Sequence, residues 1–110
     1  MDWLNEINAA VTICDIQGKI IYMNDKSAQV FENNGGKNLI GESLFDCHPE
    51  PSLTKLKGML AEGSTNVYTI EKNGTKKIIY QTPWVNRGII SGMVEISFII
   101  PDEMPHFVRE

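Results

Sequence analysis

The chain has 110 residues, 42% of them apolar and 22% charged, and its 14 acidic against 10 basic side chains give a net charge of −4. This length suits one domain with one core, burying roughly two thirds of the surface that the unfolded chain exposes, and the average composition excludes disorder and fibrous repeats. No run of Lys or Arg supplies the electrostatic footprint that phosphate backbones or anionic lipids require, so neither nucleic acid nor a membrane surface is an expected partner.

In chain order, the first signal is Trp3, Leu4 and Ile7, whose i, i+1, i+4 spacing predicts one apolar face of a short helical cap over residues 1–9. Ala10-Val11-Thr12-Ile13-Cys14 and Lys19-Ile20-Ile21-Tyr22-Met23 flank a polar connector that ends in Gly18, which predicts a β-hairpin. The period then becomes helical: Asn24 can cap, Asp25 suits the first turn, and Ala28 and Phe31 share a face. Gly35-Gly36 ends that helix. A turn through Leu39-Ile40-Gly41 leads to Pro49 and Pro51, after which Leu53, Leu56, Met59 and Leu60 form the stripe of the longest helix, stopped by Gly63.

The last third predicts three strands, from Asn66 to Glu71, Lys76 to Pro83 and Ile89 to Ile100. Asn73-Gly74 makes the first connection a tight primed turn, and Asn86-Arg87-Gly88 separates the second and third runs, which makes the three a meander. A hairpin, a group of helices and a three-stranded meander describe an α+β domain with helices on one face of a five-stranded antiparallel sheet.

Four blocks in this order resemble the PAS family over roughly residues 8–100. They are Ile21-Tyr22-Met23-Asn24 with Ala28 and Phe31, then Leu39-Ile40-Gly41 followed by His48-Pro49-Glu50, then Lys72-Asn73-Gly74, and finally Gly92-Met93-Val94-Glu95-Ile96-Ser97. The resemblance implies a PAS fold over 8–100, preceded by the cap over 1–9 and followed by a tail over 101–110. It implies a sensory, ligand-binding and dimerisation domain in signal transduction or transcriptional regulation. The pocket it implies is lined by Ile13, Ile21, Met23, Phe31, Leu44, Phe45, Leu56, Leu60, Tyr80, Trp84, Val94 and Ile96. Trp3, Leu4 and Ile7 are the expected homodimer surface, the alternative being that they cover the sheet of their own chain. Ile99-Ile100-Pro101 stands where many relatives have an Asp-Ile-Thr hinge to an output helix, so the expectation is signalling through a partner in trans, or a piece cut from a longer sensor.

His48 is the candidate haem ligand, the alternative being that His-Pro-Glu is the family's ordinary helix entry. Familiar haem-binding relatives carry their histidine inside the long helix, and Ser52 to Glu62 contains none. Flavin photochemistry expects a cysteine in the stretch occupied here by Phe31-Glu32-Asn33-Asn34-Gly35-Gly36, which has none. The most expected state is therefore no cofactor, with haem or flavin as the options. Cys14 and Cys47 are too few for a disulfide scaffold or zinc knuckle and are expected as reduced thiols. No P-loop, GxGxxG or GxSxG occurs, so an enzyme is not expected. The run from Ile89 to Ile100 is interrupted by Ser91, Gly92, Glu95 and Ser97 and is too short to span a bilayer, and Met1-Asp2-Trp3-Leu4-Asn5-Glu6 shows no basic segment followed by an apolar run, so the cytoplasm is the expected compartment.

Overall fold

The structure is a computed structural model that describes residues 1–47 and 49–110, and of Cys47 the backbone alone. Five strands, β1 (Ala10–Asp15), β2 (Ile20–Met23), β3 (Asn66–Lys72), β4 (Thr75–Asn86) and β5 (Ile89–Ile100), form one sheet in the order β2-β1-β5-β4-β3, with every neighbouring pair antiparallel. The first and last strands thus meet at its centre. Between β2 and β3 come α2 (Asp25–Val30), two 3₁₀ turns over 32–34 and 36–39, α3 (Leu44–Cys47) and α4 (Ser52–Glu62), while α1 (Trp3–Glu6) precedes the sheet. This is the expected α+β arrangement, a five-stranded antiparallel sheet with short helices.

The connections follow from local chemistry. Asn73 and Gly74 take φ of 54° and 76°, and Arg87 and Gly88 take 52° and 80°, so both meander turns are two-residue primed turns whose twist matches the flanking strands. β4 runs past Pro83 to Asn86 because pairing with β3 ends at Gln81; beyond it β4 has a ladder on one side only, where a proline is tolerated. At the end of α4, Gly63 adopts a left-handed φ of 73° and its N–H donates to the Met59 carbonyl at 2.8 Å.

Asn24 ties the N-terminal half together. It is fully buried, and its Oδ1 accepts from the N–H groups of Val11 and Ser27, both at 2.9 Å. Its Nδ2 donates to the carbonyls of Leu4 at 2.9 Å and Ala9 at 2.8 Å. One side chain therefore caps α2, fixes the start of β1 and anchors the segment before it.

That anchor shortens the cap expected over residues 1–9. The Leu4 carbonyl, which a continuing helix would offer to the N–H of Asn8, is taken by Asn24, so α1 is a single turn and Ile7 is already extended. Trp3, Leu4 and Ile7 consequently do not close over the domain as one face: Leu4 is half-buried, while Trp3 and Ile7 are 63% and 40% exposed.

The core lies between α4 and the middle of the sheet, where Leu56, Met59 and Leu60 meet Cys14 and Met93, with Leu44 and Phe45 packed against them. Residues 101–110 have no helix or strand and are exposed.

Candidate functional site

Strand register decides which side chains face the helices. Paired residues share a face and successive residues alternate, and the pairs Asn66↔Gln81, Gln81↔Glu95, Glu95↔Thr12 and Thr12↔Met23 draw one row across all five strands. The row faces inward, since Thr12, Met23, Gln81 and Glu95 all line the space under the helices. Most of it is polar and bonded. Asn66 Nδ2 donates to Gln81 Oε1 at 3.1 Å, Gln81 Nε2 donates to Glu95 Oε1 at 2.8 Å, and the hydroxyls of Thr12 and Ser27 lie 2.5 Å apart.

A cavity of about 480 Å³ opens between this row and the helices, walled on the sheet side by Cys14, Ile20, Met23 and Met93 and on the helical side by Phe31, Asn34, Leu39, Leu44 and Leu56. A second cleft, of about 410 Å³, lies beside α4 and is lined by Ser52, Lys55, Met59, Asn66 and Tyr68. The two share Leu56, Gln81 and Glu95, so the Gln81–Glu95 pair stands where they adjoin. Burial pushes the Cys14 thiol above its ordinary range, which keeps it a neutral, weakly polar wall. Burial, and secondarily the Glu95 charge, also raise the Tyr68 phenol, which stays a hydrogen-bond donor.

Of the twelve side chains expected to line a pocket, Met23, Phe31, Leu44 and Leu56 border the larger cavity. Leu60 is buried in the core and Phe45 packs against it. Ile13, Tyr80, Val94 and Ile96 occupy the opposite phase of their strands and face away from the helices, as the pairs Ile13↔Val94 and Tyr80↔Ile96 require. Ile21 is displaced by a bulge: Ile13 pairs with Tyr22 but Cys14 with Ile20, which leaves Ile21 without a partner and 44% exposed. Trp84 lies on the outer face over Gly92 and donates from Nε1 to the Cys14 carbonyl at 2.9 Å.

The sequence reading missed Thr12, Asn66, Gln81 and Glu95. Their signal was a polar residue at the same level of four strands, which becomes visible only once register is known.

His48, the candidate haem ligand, lies outside the described residues. The described lining of the larger cavity offers no other imidazole, so a haem reading rests on that residue alone. Among the described residues no group of three or more His, Cys, Asp or Glu side chains converges as a metal site, and no helix is long and apolar enough to cross a membrane.

The architecture has known counterparts. The PAS domain of the histidine kinase ThkA superimposes with a TM-score of 0.65 at 17% identity, covering 82% of this chain and 97% of that one. VqmA bound to DPO gives 0.67 at 15% identity over 92% of this chain and 56% of that one. The Aer2 receptor of Vibrio cholerae, a dual PAS-heme oxygen sensor, gives 0.62 at 12% identity over 84% and 95%. No curated protein matches the chain significantly. The family model described as PAS fold matches residues 4–63, more than half of the chain, from α1 through the end of α4. The chain belongs to the PAS family of sensory domains.

Proposed function

We propose that this domain holds a small, largely apolar molecule between its helices and the inner face of the sheet, self-associates through the outer face, and passes its bound state to a separate signalling or transcriptional partner. The observation that carries the reading is the cavity of about 480 Å³. Protein interiors are close-packed, and unfilled apolar volume forfeits contacts that a domain this small needs. Ligand sites occupy roughly 300–1,000 Å³, and apolar walls with a few convergent polar groups are their usual make-up. VqmA, which shares the fold, is bound to DPO, in keeping with this use of the architecture.

Thermal-shift measurement against a metabolite panel, with native mass spectrometry of the protein as purified, tests the pocket. At least one compound is expected to raise Tm by several degrees, and Leu39→Trp, which places an indole at the cavity wall, is expected to abolish the shift. No shift and no bound mass would make the domain a purely structural interaction module. A Soret band lost in His48→Ala would replace the apolar ligand with haem.

For self-association, sedimentation at micromolar concentration is expected to show a dimer that Trp3→Ala and Phe98→Ser each weaken. A monomer before and after substitution refutes it.

A further inference from the structure

The geometry points to a specific ligand class: a small amine or amidine, with a cationic nitrogen head carried on an apolar body, the head read by the Glu95 carboxylate. The inference rests on the ligand-binding reading above.

Glu95 is the only ionisable carboxylate among the described residues lining the larger cavity, and that lining contains no Lys, Arg or His. Among the described residues, the one side chain that hydrogen-bonds its carboxylate is a neutral amide, Gln81. The direction of the row follows from this. A carboxylate accepts and cannot donate, so Gln81 must turn its NH₂ towards Glu95, which leaves the Gln81 carbonyl to accept from Asn66. Both amides are thus aligned with their donors towards the carboxylate, yet neither supplies a compensating positive charge. The ion pair found among the described residues joins Lys37 to Asp25 at 2.9 Å, on other elements. Lys55 borders the neighbouring cleft, is exposed, and makes no ion pair with Glu95.

A half-buried carboxylate with a single amide bond among the described residues keeps acceptor capacity where the larger, mostly apolar cavity adjoins the cleft bordered by Lys55 and Tyr68. A charge withdrawn from water is best matched by an opposite charge that also hydrogen-bonds it. An ammonium or amidinium head meets both needs. A ligand carboxylate or phosphate meets repulsion instead, with no described basic side chain in the larger cavity to offset it. The other polar groups of the wall are weaker determinants, because the Thr12 and Ser27 hydroxyls already satisfy each other and the Cys14 thiol stays neutral. The apolar body of the ligand then lies against Met23, Phe31, Leu44 and Met93.

Isothermal titration calorimetry of the full chain tests this with two matched sets: tryptamine, tryptophol and indole-3-acetate, and phenethylamine, 2-phenylethanol and phenylacetate. The amines are expected to bind at least tenfold more tightly than the alcohols of the same skeleton, with the acids weakest. Glu95→Gln is expected to shrink the amine advantage over the matched alcohol below threefold, read as a ratio of affinities within the one variant. The wild-type ranking alone is decisive should that variant fold poorly. Equal binding of amine and alcohol, tighter binding of the acid, or an amine preference that survives in a folded Glu95→Gln protein overturns the inference and leaves the cavity standing as a ligand site. No binding by any of the six compounds also overturns it, and the metabolite panel then decides separately whether the cavity binds ligands at all.

Discussion

Along β5 the side chains facing the helices include Met93, Glu95 and Ser97, whereas those facing away include Val94, Ile96 and Phe98. β4 repeats the contrast, with Gln81 inside and Ile78, Tyr80 and Trp84 outside. An antiparallel sheet with one covered face usually turns its polar set to water and its apolar set inward, and the middle of this sheet departs from that rule. The inner face gives up apolar area to a bonded polar row beside a cavity, so packing is concentrated at α4, Cys14 and Met93. The outer face leaves Val67, Tyr80 and Phe98 exposed at 51%, 39% and 42%, a contiguous apolar surface of the kind that marks association. The covered side thus carries polar side chains and unfilled space, and the open side carries much of the sheet's apolar area.

The strongest way to break this arrangement is at Gly92, where the two faces are locked together. A Cβ there would stand 1.9 Å from the Cys14 carbonyl oxygen and 2.4 Å from Trp84 Nε1, so β1 would have to leave β5 and the indole would lose its acceptor. Gly92→Ala is therefore expected to destabilise by about 4 kcal/mol, at the upper end of single-residue effects. Urea unfolding measures it, and a loss under 1 kcal/mol would show that the Trp84 bridge contributes little. Next is the inner seam at Asn24. Asn24→Ala removes the cap of α2 and strands the Val11 N–H and the carbonyls of Leu4 and Ala9, at an expected cost of about 3 kcal/mol. Raised hydrogen exchange should appear at Val11 and Ser27 first, and protection unchanged at both would refute the assignment.

The difference between the faces also explains what the sequence disclosed. Signals confined to a few neighbouring residues were legible: Asn73-Gly74 as a primed turn, Gly63 as a helix stop, Asn24 as a cap, and the stripe of Leu56, Met59 and Leu60. Strand phase was not. Ile78-Ile79, Ile89-Ile90 and Ile99-Ile100 are apolar at successive positions, so a period of two fits either face, and the larger apolar set, which pattern alone places in the pocket, faces outward. The bulge opposite Ile13 moved Ile21 out of the expected alternation in the same way. At the N-terminus the spacing of Trp3, Leu4 and Ile7 was truly helical, but a tertiary hydrogen bond from Asn24 to the Leu4 carbonyl ended the helix after one turn. Glu95 could not be singled out without its cross-strand neighbours, because a lone acidic residue in an apolar run reads as an ordinary solvent-facing position.

The smallest expected effect lies beside that seam, at Tyr22, and it has the opposite sign. Tyr22 pairs with Ile13 on the outward phase of β2, its hydroxyl is shut off from solvent, and it has no hydrogen-bond partner among the described residues. An unmade hydrogen bond leaves the desolvation cost of the hydroxyl uncompensated, whereas the ring contributes its apolar burial with or without the oxygen. Tyr22→Phe should accordingly leave the urea midpoint unchanged or raise stability by up to about 1 kcal/mol. Substitutions of buried residues usually destabilise, so a neutral or positive result would mark the hydroxyl as retained for something other than folding. A loss above 1 kcal/mol would instead show that the hydroxyl has a partner, such as an ordered water between β2 and α1, and that this corner of the outer face is held by hydrogen bonding rather than by packing alone.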